Sequence, residues 1–308
     1  MYRKIMGFLE AWKESKHRKP LILQGARQVG KTYSILEFGR THYENVAYFN
    51  FETNPKLNET FEENISPDYL IPILSHIAGQ TIVKEKTLMV FDEVQLCERA
   101  LTSLKYFCEN APDYHIIVAG SLLGVAVNRT KFSFPVGKVD MKTLYPMDME
   151  EFMMALGEDD LVNQIKKCFQ TDTPLPSALH DAAMQLYRQY LVVGGMPECV
   201  MQFAGTKDYI LVRHTQDTIL ASYLNDMSKY NTLNEIKKTR LAYDNITVQL
   251  SKKNTRFQYK LIKKSGRASE FENAIEWLCL SGIVSQVYKV EQIKKPLENY
   301  RDIDAFKI

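Results

Sequence analysis

The chain has 308 residues, 45% hydrophobic and 25% charged, a makeup that excludes a disordered or fibrous protein and suits two or three globular domains. Its formal net charge is only +2, so bulk electrostatics gives no warrant for a nucleic-acid or membrane partner. Five scattered cysteines without a C-x-x-C pair and six dispersed histidines argue against a disulfide framework and against a zinc cluster.

In chain order, five short β-rich runs alternate with longer stretches of helical period, the rhythm of a parallel sheet covered by helices. The first, Pro20 to Gln24, leads directly into Gly25-Ala26-Arg27-Gln28-Val29-Gly30-Lys31-Thr32, a complete G-x-x-x-x-G-K-[ST], and then into a helical run. Glycines there let consecutive backbone N–H groups approach phosphate oxygens, and the helix that begins here adds its positive end to the same anion. Lys31 is expected to reach the β- and γ-phosphates as a point charge and the Thr32 hydroxyl to ligate Mg²⁺. Gly25, Ala26, Arg27, Gln28, Val29, Gly30, Lys31 and Thr32 are thus the expected nucleotide-binding residues, with no catalytic role for Arg27 or Gln28.

Val46 to Phe51 reads as the second strand and Thr87 to Asp92 as the third, a buried run ending in Asp92-Glu93. Charge at the carboxyl end of an apolar strand is unfavourable unless used or solvated, and in an open α/β sheet that edge is where ligands bind. Asp92 is therefore the expected magnesium-side acid and Glu93 the base that polarises an attacking water. The fourth run, His115 to Gly120, meets Ser121, which has two readings: a sensor of the γ-phosphate, or a plain helix cap. Val139 to Leu144 closes the set.

After Pro146 the strand-like runs stop. Met149 to Leu156 and Leu179 to Val193 have apolar residues three and four apart, the period of a helix, and Gly194-Gly195-Met196-Pro197 demands a turn. The methionines from Met141 to Met154 are assigned to packing. From Lys229 onward the chain is basic, with 16 Lys plus Arg against 9 Asp plus Glu. Helical candidates at 231–250 and 269–281 precede an alternating stretch, Ile283 to Val290, an order that suggests a winged helix. Seven cations between Lys252 and Arg267, interleaved with Phe257 and Tyr259, have two readings, a surface for DNA phosphates or a solvated face.

With strand, phosphate loop, Asp-Glu and Gly-Ser in this order, the sequence resembles the AAA+ ATPases. It is similar more narrowly to a bacterial and archaeal group of predicted ATPases carrying an uncharacterised C-terminal domain, through Leu23 to Thr32, Leu88 to Gln95, Ala119 to Gly124, Phe134 to Val139, Tyr145 to Phe152 and Gly194 to Glu198. The resemblance implies a sheet of order 5-1-4-3-2 flanked by helices, a helical lid and a winged helix, with ATP between sheet and lid. It divides the chain into an ATPase core at 1–147, a lid at 148–227 and a basic winged-helix-like domain at 228–308. Lys31, Glu93 and Ser121 become the catalytic set, with Thr32 and Asp92 on the metal. Relatives often carry Gly-Arg before the fifth strand; here the pair is Gly137-Lys138, and lysine lacks the bidentate fork. Lys138 or Arg129 acting on a neighbour's nucleotide in an oligomer stands beside a solvated cation as its reading. Members of the group also continue into a nuclease-like domain, of which no acidic cluster is found here.

The expected function is Mg²⁺-dependent ATP hydrolysis that drives a switch of lid and winged helix, in the cytoplasm, since no signal-peptide core or membrane-length run is present. The alternatives are a nucleotide-gated binding module with little turnover and a phosphate-loop kinase for a small acceptor, the latter disfavoured by the water-activating Asp92-Glu93.

Overall fold

A computed structural model describes residues 1–120, 134–229, 233–253 and 256–308. They fall into two compact units, Met1–Ile219 and Leu220–Ile308.

In the first unit the five β-rich runs become strands: β1 (Leu21–Gln24), β2 (Asn45–Asn50), β3 (Thr87–Asp92), β4 (His115–Ala119) and β5 (Asp140–Thr143). They form one parallel sheet in the order β2-β3-β4-β1-β5, which is the expected 5-1-4-3-2 counted from the other edge. Parallel neighbours need crossovers, and helices supply them. α1 (Ile5–Glu14) precedes β1, α2 (Lys31–His42) joins β1 to β2, and α3 (Lys56–Glu63) and α4 (Pro67–Ala78) join β2 to β3. α5 (Glu98–Asn110) then joins β3 to β4. Every residue of β3 and β4 is buried, as their unbroken apolar sequence requires, whereas the edge strand β5 is polar and partly exposed.

The strand that carries the acidic pair is fixed from behind by aromatic packing. Phe91 meets Phe49, Phe51 and Phe61 at centroid distances of 5.8, 6.0 and 5.6 Å, with ring planes steeply inclined or perpendicular. Burying a side chain such as Phe91 contributes about 2–3 kcal/mol, so the end of β3 is a rigid platform. At the opposite end of the sheet, His115 opens β4 with its Nδ1 2.7 Å from the Tyr43 hydroxyl and its ring edge-on to Trp12. Burial first, then the nearby Arg18 and Lys13, pushes its pKa down to about 4.

Beyond β5 come α6 (Met149–Ala155), α7 (Asp159–Gln170), α8 (Ser177–Val193), α9 (Pro197–Thr206) and α10 (Tyr209–Lys229). Asp148 starts α6 with a reciprocal cap: it accepts the Glu151 N–H while Glu151 accepts its own. Phe152 then packs on Tyr190 of α8 and Phe203 of α9. Met153 lies in a buried cluster with Leu161, Val162 and Leu186. The Gly194-Gly195 turn ends α8, Pro197 starts α9, and the Gly195 carbonyl accepts the Met147 N–H at 2.6 Å.

The second unit holds α11 (Leu233–Leu250), α12 (Tyr259–Ile262), α13 (Ala268–Leu280) and an antiparallel pair, β6 (Val287–Val290) with β7 (Arg301–Lys307). α13 buries Phe271, Ile275 and Leu278, and Phe257 stacks on Phe306 at 5.2 Å. The Gln249 side chain donates to the Gln258 carbonyl and accepts its N–H, which joins the end of α11 to the start of α12. Among the described residues no helix is long and apolar enough to cross a membrane.

Candidate nucleotide site

The chain leaves β1 at Gln24 and turns through Gly25 to Gly30 into α2. Gly25 has φ +147°, and a Cβ there would lie 2.1 Å from the Leu144 carbonyl oxygen, so only glycine fits this approach of two backbones. Gly30, at φ +89°, is the residue just before α2. Ala26 and Val29 are buried, whereas Arg27 and Gln28 line the pocket.

Lys31 curls back on its own loop. Its ammonium donates to the Gly25 and Ala26 carbonyls at 2.9 and 2.7 Å, and the residue is only 7% exposed. Burial pushes its pKa down to about 8, opposed by the charges of Glu93 and Asp92 and assisted by Arg27. The loop thus holds its cation desolvated, with two of its own carbonyls as partners.

Across the pocket, the Thr32 hydroxyl donates to Asp92 Oδ2 at 2.8 Å, the Tyr48 hydroxyl donates to the same oxygen at 2.8 Å, and the Glu93 N–H donates to Oδ1 at 3.0 Å. Asp92, 5% exposed, is held at both oxygens. Tyr48 remains a donor, because burial foremost pushes its pKa up to about 12. A hydroxyl and a carboxylate oxygen in direct contact form the hard-oxygen donor set that suits Mg²⁺, so Thr32 and Asp92 fit that ion. Glu93 sits in the left-handed region at φ +53°, an uncommon place for a non-glycine residue, and its carboxylate accepts the Gln95 amide.

These groups open on a pocket of about 390 Å³, within the usual range of roughly 300–1,000 Å³ for small-ligand sites. Pro197, Glu198 and Met201 of α9 line its other side, together with Met1 and Arg3. The Gly-Gly-Met-Pro-Glu motif therefore borders the same pocket as the phosphate loop. Of the residues read from sequence, Arg27, Gln28, Gly30, Lys31, Thr32, Asp92 and Glu93 meet here. Ser121 and Arg129 lie outside the described residues. Lys138 is not brought to the site: it stands before β5, at the other end of the sheet, with its ammonium 2.9 Å from Glu109 Oε1. Sequence reasoning missed Tyr48 and Arg3. Tyr48 had one signal, a polar-tipped residue two before Asn50, the partner of Asp92 across the β2–β3 ladder.

Residues 17–153 match a family model described as an AAA domain, and residues 184–308 match a domain of unknown function, DUF8612. No curated protein matches the chain. Among solved structures, the Walker-type ATPase PABY2304 of Pyrococcus abyssi is similar over 100% of this chain and 93% of its own, at 14% identity and a TM-score of 0.58. The ORC2 protein of Aeropyrum pernix, solved in ADPNP–ADP complexes, covers 93% of this chain and 88% of its own at 12% identity and a TM-score of 0.47. The RuvB Holliday junction branch migration motor of Thermotoga maritima covers 92% and 88% at 13% identity and a TM-score of 0.39. At such identity the first likeness is one of fold, and the other two are too loose to carry more. Strand order, phosphate loop and family match agree: residues 17–153 match an AAA domain, and the N-terminal sheet has the AAA+ P-loop ATPase fold.

Proposed function

We propose that this chain binds and hydrolyses ATP with Mg²⁺ at the pocket between the phosphate loop and α9, and that the cycle shifts a lid at 148–227 and a winged-helix-like module at 228–308 relative to the core at 1–147. The observation that carries this reading is the convergence of Lys31, Thr32, Asp92 and Glu93 on one pocket, with Thr32 and Asp92 already in contact. Backbone N–H groups of the loop and the Lys31 ammonium hold the phosphates, and the Tyr48 hydroxyl keeps Asp92 in place. Thr32 and Asp92 would hold Mg²⁺, which would supply neutralisation of phosphate charge. Glu93 takes the proton of the attacking water.

Phosphate release by purified protein tests this directly. Lys31→Ala is expected to abolish nucleotide binding, and Glu93→Gln to leave binding intact while stopping turnover. Equal activity in all three proteins refutes the assignment.

The Glu93–Gln95 contact favours a second reading, a nucleotide-gated binding module with little turnover, because a carboxylate engaged by an amide is not poised over a water. Stoichiometric nucleotide retained through purification with no phosphate release supports it. DNA contact by the basic stretch of the second unit is part of either reading; Lys263 there is paired with Glu270, and Arg256 donates to the Asp304 carbonyl, which leaves Lys252, Lys253, Lys260, Lys264 and Arg267 as its main candidates. Binding to duplex DNA that weakens steeply with salt supports the contact, and no binding near 50 mM salt removes it.

A further inference from the structure

We propose that Arg3 is a positioning residue for phosphate binding: by holding the Val29 carbonyl it fixes the direction of the Gly30 N–H in the phosphate loop, and it ties that direction to α6 through Glu151. The inference rests on the reading of the loop as a nucleotide site.

Arg3 lies just before α1, far in sequence from the groups its guanidinium contacts, and is 3% exposed. Its guanidinium spends three donors in three directions. Nη1 donates to the Val29 carbonyl at 2.8 Å, Nη2 to the Tyr145 carbonyl at 2.8 Å, and Nε to Glu151 Oε1 at 3.1 Å. Glu151 is buried as well, and its carboxylate also accepts the Lys4 N–H at 2.6 Å and the Asp148 N–H at 3.3 Å. One ion pair thus joins the phosphate loop, the turn after β5, the start of α1 and the cap of α6.

The consequence for the loop follows from peptide geometry. In a trans peptide the carbonyl and the next N–H point to opposite sides. A guanidinium on the Val29 oxygen therefore turns the Gly30 N–H the other way, away from Arg3. Gly30 has no Cβ to resist rotation of that peptide plane, and at φ +89° it occupies a region other residues avoid, so the direction needs an external anchor. Stability alone does not account for the pair, since buried ion pairs add little over apolar packing. A lysine could serve one of the three acceptors but not all three in their fixed directions.

The test is the equilibrium dissociation constant of Mg²⁺–ATP, measured calorimetrically, with inorganic pyrophosphate as a second probe of the phosphate part alone. Arg3→Lys, Arg3→Ala and Glu151→Gln are compared with Lys4→Ala, which breaks exposed bridges to Asp148 and Glu150 without touching the loop. Loss of one well-directed hydrogen bond to a charged group corresponds to about a 10-fold weakening or more, expected in Arg3→Lys for both probes, with a larger loss in Arg3→Ala. Glu151→Gln is expected to weaken both probes by a smaller factor and Lys4→Ala to leave both unchanged. A merely structural role would lower the melting temperature and spare the affinity of the folded protein. Wild-type affinity in folded Arg3→Lys and Glu151→Gln overturns the inference, including where Arg3→Ala does not fold. A wild-type protein that binds neither probe instead removes the reading of the loop itself.

Discussion

Replacing Lys31 by methionine separates function from stability at one atom. The wild-type ammonium is buried with its pKa lowered from 10.5 to about 8, chiefly by desolvation. At about 1.36 kcal/mol per unit, that shift makes the charged side chain roughly 3 kcal/mol unfavourable to the nucleotide-free fold at pH 7. Methionine keeps the apolar stem and removes the charge, but leaves the Gly25 and Ala26 carbonyls without this donor, an offset of about 1–2 kcal/mol. The net expectation in urea unfolding at pH 7 is a variant about 1–2 kcal/mol more stable than wild type without nucleotide. The sign of the pH dependence follows from the lowered pKa. Between pH 8 and 10.5 the unfolded chain binds more protons at this position than the folded one, so wild-type stability rises there with pH, and the variant's advantage disappears. Nucleotide reverses the ranking. At 100 times its dissociation constant ATP stabilises wild type by about 2.7 kcal/mol and leaves the variant unmoved. A variant more than about 1 kcal/mol less stable than wild type at pH 7, or one that keeps the nucleotide shift, refutes the reasoning.

Three further outcomes follow. His115, lowered from 6.5 to about 4 by burial, contributes stability that is present above pH 6.5 and lost as pH falls toward 4; the loss is about 2–3 kcal/mol, and His115→Asn should flatten that part of the unfolding profile. Gly195→Ala places a Cβ 2.1 Å from the Met147 carbonyl oxygen, so it should destabilise by more than about 2 kcal/mol in denaturant unfolding, whereas an alanine at Gly157's open surroundings tests only its positive φ and should lose less. Tyr48→Phe removes one donor from Asp92 Oδ2 and should weaken nucleotide affinity more in the presence of Mg²⁺ than in EDTA, by about 5- to 10-fold. Equal weakening in both buffers would mean that Tyr48 does not act through Asp92.

The sheet was legible in the sequence because burial on both faces writes itself as an apolar run. Leu88 to Phe91 and His115 to Ala119 carry that signature, and both are wholly buried. The phosphate loop was legible for a different reason: Gly25, Gly30, Lys31 and Thr32 form a motif of fixed spacing within eight residues, although Gly25 packs on Leu144 and Thr32 bonds Asp92 far along the chain. What stayed hidden is what depends on contacts between distant segments. Arg3 and Glu151 are 148 residues apart, and neither belongs to a motif that announces the other. The Met147–Gly195 hydrogen bond joins two stretches that sequence reading treated separately, and only the fold reveals that they meet. Lys138 is a further case: it stands before β5, at the end of the sheet away from this chain's own phosphate loop, and its pairing with Glu109 is a contact that no motif announced.

Competition between ATP and inorganic pyrophosphate for the wild-type protein in Mg²⁺ puts the account at its most direct risk. A loop that grips phosphate through its own N–H groups and Lys31 predicts one ATP site per chain, emptied by pyrophosphate and untouched by adenosine at the same concentration. ATP that is not bound, or is bound but yields to adenosine and not to pyrophosphate, contradicts it.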